Sequence, residues 1–341
     1  MRLVFVTQQV DPAHPALAAT VPKIRALAER VDELVVLADG AAEGVELPAN
    51  CRVRLFAAPT RAGRGLRFAR ALADELRRPG EVAVVAHMCP IYAVLAAPLA
   101  RPRHARVVLW FTHWKASRLL RVAATLSNAV VTVDRRSFPL ESGKVGPIGH
   151  GIDLAEFPCR DRAGEGLRLL ALGRYSPAKG LETIVRAVAL VEEATLVVHG
   201  PALTAEERAH REELTALVAE LGVGARVSLE GAVPRAEVPG LLADADALVN
   251  NMRAGAPDKV VYEAAASCVP VLASNPVFDT LLPAELRFAR DPPDELVERL
   301  REFAVLPAGA RAAIGHALRE QVERAHSVAS WADGVLAAAR R

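Results

Sequence analysis

LRLLALGRYSPAKG, residues 167–180, runs from an apolar stretch through a glycine into a turn that carries two cations, and LETIVRAVALV follows at 181–191. LRLLALG has the length and branched apolar content of a buried strand. In the segment after the turn, Leu181, Ile184, Val185 and Val188 fall on one face of a helix. Strand, turn and helix in that order open a parallel α/β unit, whose ligands bind at the carboxyl ends of the strands. The alternation continues through ATLVVHG (194–200), RVSLEG (226–231), DALVNN (246–251) and VPVLASN (269–275). Toward the N-terminus a similar series stands before it: RLVFV (2–6), ELVVLA (33–38), RVRLF (52–56), EVAVVA (81–86), RVVLWF (106–111) and AVVTV (129–133), with helical stretches between them. The prediction is therefore two Rossmann-like domains facing each other across a cleft, 1–157 and 158–310. Helices follow over 311–341, the last a candidate to cross back to the first domain. FPCRDRAGEG (157–166), rich in proline, glycine and charge, is the expected linker.

Composition agrees with that outline. The chain has 341 residues, and 42 Lys+Arg against 40 Asp+Glu leave a net charge of +2, with 52% hydrophobic residues. Such balance gives no global field for nucleic acid. Cys51, Cys89, Cys159 and Cys268 are far apart and show no metal-ligand spacing, so four reduced thiols in a cytoplasmic protein are expected. MRLVFVTQQVDPAHP reads as a first buried strand rather than a signal peptide. No uncharged apolar run reaches spanning length, which limits any membrane contact to a peripheral one at the inner face.

The chemistry is concentrated after the strands of the second domain. Arg174 and Lys179 flank one turn at a helix start, where a guanidinium fork, an ammonium and free N–H groups suit a diphosphate. In GAPDKVVYEAAASCVPVLASN (255–275), Asp258 either caps a helix or accepts hydroxyls such as those of a ribose. The N–H groups of Lys259 and Val260 point toward phosphate, and Glu263 lies in the second turn. In the first domain His113 and His87 follow strands, a position open to catalysis or to a surface or satisfied core histidine. Gln8, Gln9 and Asp11 after the first strand fit an acceptor or phosphate loop, or simply a tight turn. Arg61, Arg64, Arg67, Arg70, Arg77 and Arg78 accompany Leu66, Phe68, Leu72 and Leu76, which is either a solvated helix face or a face for anionic lipid.

Several of these residues together carry a family likeness. G-R-x-x-x-x-K-G at Gly173 to Gly180, EGAVPRAEVPGLLADADALV (230–249) and D-K-V-V-Y-E-A (258–264) resemble the retaining nucleotide-sugar glycosyltransferases of family 4, which have the GT-B fold. VVLWFTHWKAS (107–117) and GHGIDLAEF (149–157) support the likeness, which is weak before residue 80. The resemblance implies a nucleoside-diphosphate sugar donor, UDP favoured over GDP, held mainly by the second domain. It also implies a hydroxyl acceptor held by the first, and transfer with retention and no required metal or cofactor. It assigns the diphosphate to Arg174 and Lys179, with Gly173 among the residues of the nucleotide-sugar site, the ribose to Glu263, and a place beside the donor sugar to His113. One departure stands out: where the family commonly has a glutamate eight residues before Glu263, this chain has Gly255. That substitution keeps open a protein that binds a nucleotide sugar without turning it over. A nicotinamide-dependent dehydrogenase, the remaining alternative, would need a G-x-G-x-x-G after an early strand, and the sequence has none.

Overall fold

The computed structural model describes residues 1–14, 17–160 and 166–340. The chain divides into two compact units: Met1–Asp153 with Ala325–Arg341, and Leu154–Arg324. The junctions thus fall at 153/154 and 324/325 rather than at 157 and 310. Residues 161–165 of the expected linker lie outside the described residues.

The first unit contains β1 (Arg2–Val10), α1 (Thr20–Ala28), β2 (Glu33–Ala41), β3 (Cys51–Leu55), α2 (Arg61–Arg77), β4 (Val82–His87), α3 (Pro90–Ala100), β5 (Arg106–Trp110), α4 (Arg118–Leu126), β6 (Ala129–Thr132) and β7 (Val145–Pro147). Its seven strands are parallel neighbours in the order β3-β2-β1-β4-β5-β6-β7. Leu3–Val6, Leu34–Ala38 and Val84–Ala86 are wholly buried, as a sheet covered on both faces requires. β1 extends past the apolar run, so Gln8 and Gln9 are strand residues rather than loop residues, with Gln9 paired to Gly40.

The second unit contains β8 (Leu167–Leu172), α5 (Leu181–Ala189), β9 (Ala194–His199), α6 (Ala205–Glu220), β10 (Val227–Glu230), α7 (Val238–Asp244), β11 (Ala247–Asn250), α8 (Lys259–Ala266), β12 (Val271–Ala273), α9 (Asp294–Ala304) and most of α10 (Ala308–His326). Its five parallel strands run β10-β9-β8-β11-β12. In α5 the predicted stripe of Leu181, Ile184, Val185 and Val188 is buried against this sheet. Helix α11 (Val328–Arg340) belongs to the first unit. There it buries Trp331 completely, edge-on to Phe5 and Trp110 at 6.3 and 6.2 Å.

Both sheets reverse their strand order once, between β1 and β4 and between β8 and β11. At such a point adjacent crossovers leave on opposite faces and open a crevice at the strand ends. The expectation of four reduced cysteines does not hold, because Cys159 and Cys268 are joined in a disulfide. Nothing in their sequence spacing marks them as partners; the turn after α8 and the chain entering the second unit bring them together. No helix among the described residues is long and apolar enough to cross a membrane.

Candidate active site

In the second unit the crevice between β8 and β11 is built from the two loops that leave those strands. Ser176 caps the short turn Pro177–Lys179, its hydroxyl accepting from the Ala178 N–H at 3.4 Å. That turn sends the Lys179 side chain back over the end of β8. There its ammonium donates to the Leu172 carbonyl at 3.1 Å and to the Asp258 carboxylate. Gly173 makes this return possible: its φ is +129°, and a Cβ on it would lie 2.3 Å from Lys179 Nζ. From the opposite strand end, Asn250 Nδ2 donates to the same Asp258 oxygen at 2.7 Å. Lys179, Asp258 and Asn250 therefore meet at the switch point. Asp258 precedes α8 without capping it by its side chain. Its carboxylate orients Lys179 instead.

Arg290 holds the turn from the far side, donating to the carbonyls of Ala178 at 3.1 Å, Pro177 at 3.2 Å and Asn251. Arg174 points elsewhere. Its guanidinium is more than half exposed and pairs at 3.0 Å with Glu207, which closes the capping box at the start of α6. The two cations expected to share one anion thus each have a carboxylate of their own.

One turn along α8, Glu263 is buried and accepts from Arg235 at 2.6 Å and from Lys259 at 2.9 Å, both through Oε1. Burial opposes the charge of Arg235, but Glu263 and then Glu156 outweigh it and hold the guanidinium above its ordinary value. Arg235 reaches Glu156 at 3.1 Å and lies 5.0 Å over the Phe157 ring. Val260 is buried in the first turn of α8. Gly255 has φ +80°, and its N–H donates to Asn275 Oδ1 at 3.3 Å. A glutamate could occupy that left-handed backbone only under strain, so the departure from the family pattern is one of loop shape as well as side chain.

In the first unit His113 follows β5, fixed by its N–H to the Ser137 carbonyl at 3.1 Å. Its Nδ1 accepts from the Lys115 N–H at 2.9 Å. Partial burial, then Lys115, lowers its pKa. Because Nδ1 accepts, the neutral ring carries its proton on Nε2. His87 is a core residue, stacked on Trp110 at 4.8 Å and 3.5 Å from the Thr7 hydroxyl, and burial and then Lys23 push its pKa well down. Gln9 packs its amide against Gly40, and Asp11 accepts from the Ala13 N–H at 2.8 Å in a local turn. Gln8 is exposed near the end of β1.

Sequence reasoning passed over Asn250, Arg235, Glu207 and Arg290. Asn250 was visible as a polar residue closing an apolar strand, whereas the other three reach the site from elements whose placement only the fold determines.

Comparison with known proteins follows the same division. Residues 160–307, nearly all of the second unit, match the family model of glycosyl transferases group 1. No curated protein matches the sequence. Among solved structures, a sucrose-phosphate synthase from Thermosynechococcus elongatus is similar with TM-score 0.75 and 18% identity over 100% of this chain and 98% of that one. HepE of Anabaena, in complex with UDP, gives 0.76 and 17% over 99% of both chains. A glycosyltransferase from Rickettsia africae gives 0.76 and 12% over 98% and 97%. The fold is of the GT-B class, with two Rossmann-like units, and the chain is an enzyme of the glycosyltransferase class.

Proposed function

We propose that the protein is a retaining transferase of family 4 that moves a sugar from a UDP-sugar to a hydroxyl acceptor. The observation that carries this reading is the convergence of Lys179, Asp258 and Asn250 at the switch point of the second unit, one helix turn from Glu263. Lys179 receives the diphosphate, joined by Arg174 once its half-exposed guanidinium exchanges Glu207 for the anion, and the N–H groups of Lys259 and Val260 at the start of α8 add partial positive charge. Both cations on Glu263 use Oε1, so Oε2 is the oxygen that would accept the ribose hydroxyls. UDP is favoured because HepE, similar in fold, was solved with UDP and with UDP-glucose. In the reaction the acceptor hydroxyl attacks from the face the diphosphate leaves, and a phosphate oxygen takes its proton. His113, neutral and donating through Nε2, orients the sugar or its leaving oxygen rather than serving as a base. Gln8 and Asp11, at the strand ends of the first unit, belong on the acceptor side.

The experiment is UDP binding and sugar release or transfer in Arg174→Ala and Lys179→Ala. Each should weaken donor use by about tenfold or more, from about 1.5 to 3 kcal/mol per charged hydrogen bond. Turnover should survive chelation, since protein cations meet the diphosphate charge. Normal turnover in both variants would remove the diphosphate assignment, and binding without any transfer would leave a nucleotide-sugar binder.

Peripheral contact with anionic lipid has a candidate surface besides the arginine-bearing segment of α2. On α2, Phe68, Leu72 and Leu76 are buried in the core, and Arg64, Arg77 and Arg78 are ion-paired. A second amphipathic face is the loop and helix at Trp114–Val122. There Trp114, Leu119 and Val122 are 43%, 42% and 47% exposed beside Lys115, Arg118 and Arg121.

A further inference from the structure

The disulfide joins two segments that both serve the proposed donor site. Cys268 ends the turn after α8, in a left-handed conformation with φ 59°. Cys159 lies three residues beyond Glu156, which reaches Glu263 through Arg235. The entering chain is thus fastened to α8 at its middle, through Glu263, and just past its C-terminal end, through Cys268. Between these fastenings Arg319 of α10 donates to the Phe157 carbonyl at 2.7 Å and to the Ala266 carbonyl. The same helix brings a third reactive group to the sulfurs. Gly315 packs directly on the Cys268 carbonyl, where any Cβ would collide with it at 1.9 Å. The close approach sets His316 Nδ1 3.5 Å from Cys268 Sγ and 3.6 Å from Cys159 Sγ. Cys268 is buried, Cys159 is partly exposed and His316 is exposed.

We propose that Cys159, Cys268 and His316 form a reversible dithiol–disulfide site, opened by a dithiol reductant, that sets how firmly residues 154–160 are held on α8. A thiolate of the reductant attacks Cys159, the more accessible sulfur, giving a mixed disulfide and releasing Cys268 as a thiolate beside His316. The reductant's second thiol then closes on its own sulfur and releases Cys159. One S–S bond breaks in the protein and one forms in the reductant, and two electrons and two protons pass to the protein. His316 relays a proton to the departing sulfur. An imidazole placed against both sulfurs, with one of them open to solvent, is the environment of an exchanging disulfide rather than an inert one.

The test uses the full chain and dithiothreitol. Alkylation after denaturation should label two cysteines, Cys51 and Cys89, in protein kept in air and all four after reduction, with two again on reoxidation. His316→Ala should slow reduction at neutral pH by about fivefold or more, whereas Cys51→Ser should leave the rate unchanged. Reduction should speed amide exchange over 154–160, and the Cys159→Ser variant should show that faster exchange with or without reductant. A further consequence rests on the donor reading: reduction should raise the dissociation constant for UDP by about threefold or more. If UDP binds neither form, the donor assignment fails while the labelling and exchange results still decide the redox site. Four reactive thiols in air-held protein, or four thiols with one tightly held zinc ion per chain, would overturn the proposal. So would an exchange pattern at 154–160 that reduction does not alter.

Discussion

At Gly173 a missing side chain matters as much as the charges around it. Lys179 folds back over the end of β8 into the space a Cβ would fill, so Gly173→Ala should both strain a backbone at φ +129° and dislodge the ammonium from Asp258. The expected result is at least tenfold weaker UDP binding, read by calorimetry, as for the loss of one charged hydrogen bond. Binding equal to the parent would show that Lys179 is not needed where it stands. His113 makes the complementary case. It is on the first unit while the proposed nucleotide groups are on the second, so His113→Ala should lower the transfer rate by about tenfold to a hundredfold and change UDP affinity by less than about twofold. Equal loss in both quantities, or in neither, would make it a structural residue. Arg174, Lys179, Glu263 and Gly255 could be picked out in the sequence because they lie at fixed spacing around a strand end and a helix start. Their partners could not. Glu207 meets Arg174, and Arg235 meets Glu263, only because separate helices and loops pack side by side, and no local pattern encodes that.

Elements were legible where periodicity and length agree, and less so where a partner decides the outcome. The apolar runs identify nearly every strand, yet β7 escapes notice because VGP is three residues long and earns its place only by pairing with β6. β1 outlasts its apolar run because Thr7, Gln9 and Val10 continue the ladder with Ala38, Gly40 and Ala41. The arginine-rich α2 illustrates the limit for charge: sequence shows the cations and the Asp74 three residues before Arg77, but not Asp39 and Glu33 of β2, which neutralise Arg64 and Arg78. On α4 Ser117 caps the first turn and Leu120 and Ala123 face inward, which leaves Arg118, Leu119, Arg121 and Val122 outward. Among the described residues those two arginines have no ion pair. The protein should therefore float with anionic vesicles at low salt and release them as salt rises. Arg118→Glu with Arg121→Glu should abolish flotation, and Arg61→Glu with Arg70→Glu on α2 should not. The opposite ranking would return the lipid face to α2.

The whole chain is two copies of one architectural idea, with a C-terminal helix that completes the first unit rather than the second. That closure buries titratable groups in an apolar layer. His87 lies among Phe5, Trp110 and Trp331, and His326 ends α10 where the chain enters the first unit. Burial holds both imidazoles neutral: the pKa of His87 is pushed well below its ordinary value, and that of His326 is lowered to about 4. The sign of the effect follows directly. Below about pH 6.5 the unfolded chain takes up protons on these side chains that the folded chain refuses, so their stabilising contribution is full above that pH and falls as acid is added. The expected slope is about 1.4 kcal/mol per pH unit for each histidine, down to about pH 4 for His326. Carboxylates held low, such as Glu33 at about 2, begin to weaken the fold only when the pH approaches their unfolded range near 4.5. The window between about pH 6.5 and 5 therefore isolates the histidines. All three tryptophans, Trp110, Trp114 and Trp331, lie in the first unit, so intrinsic fluorescence during urea unfolding reports that unit alone. Its unfolding free energy should drop between pH 7 and 5, and His326→Asn should remove roughly one histidine's share of the slope. A flat profile over that range would mean that neither imidazole is excluded from protons in the folded chain, and that α11 does not seal this layer.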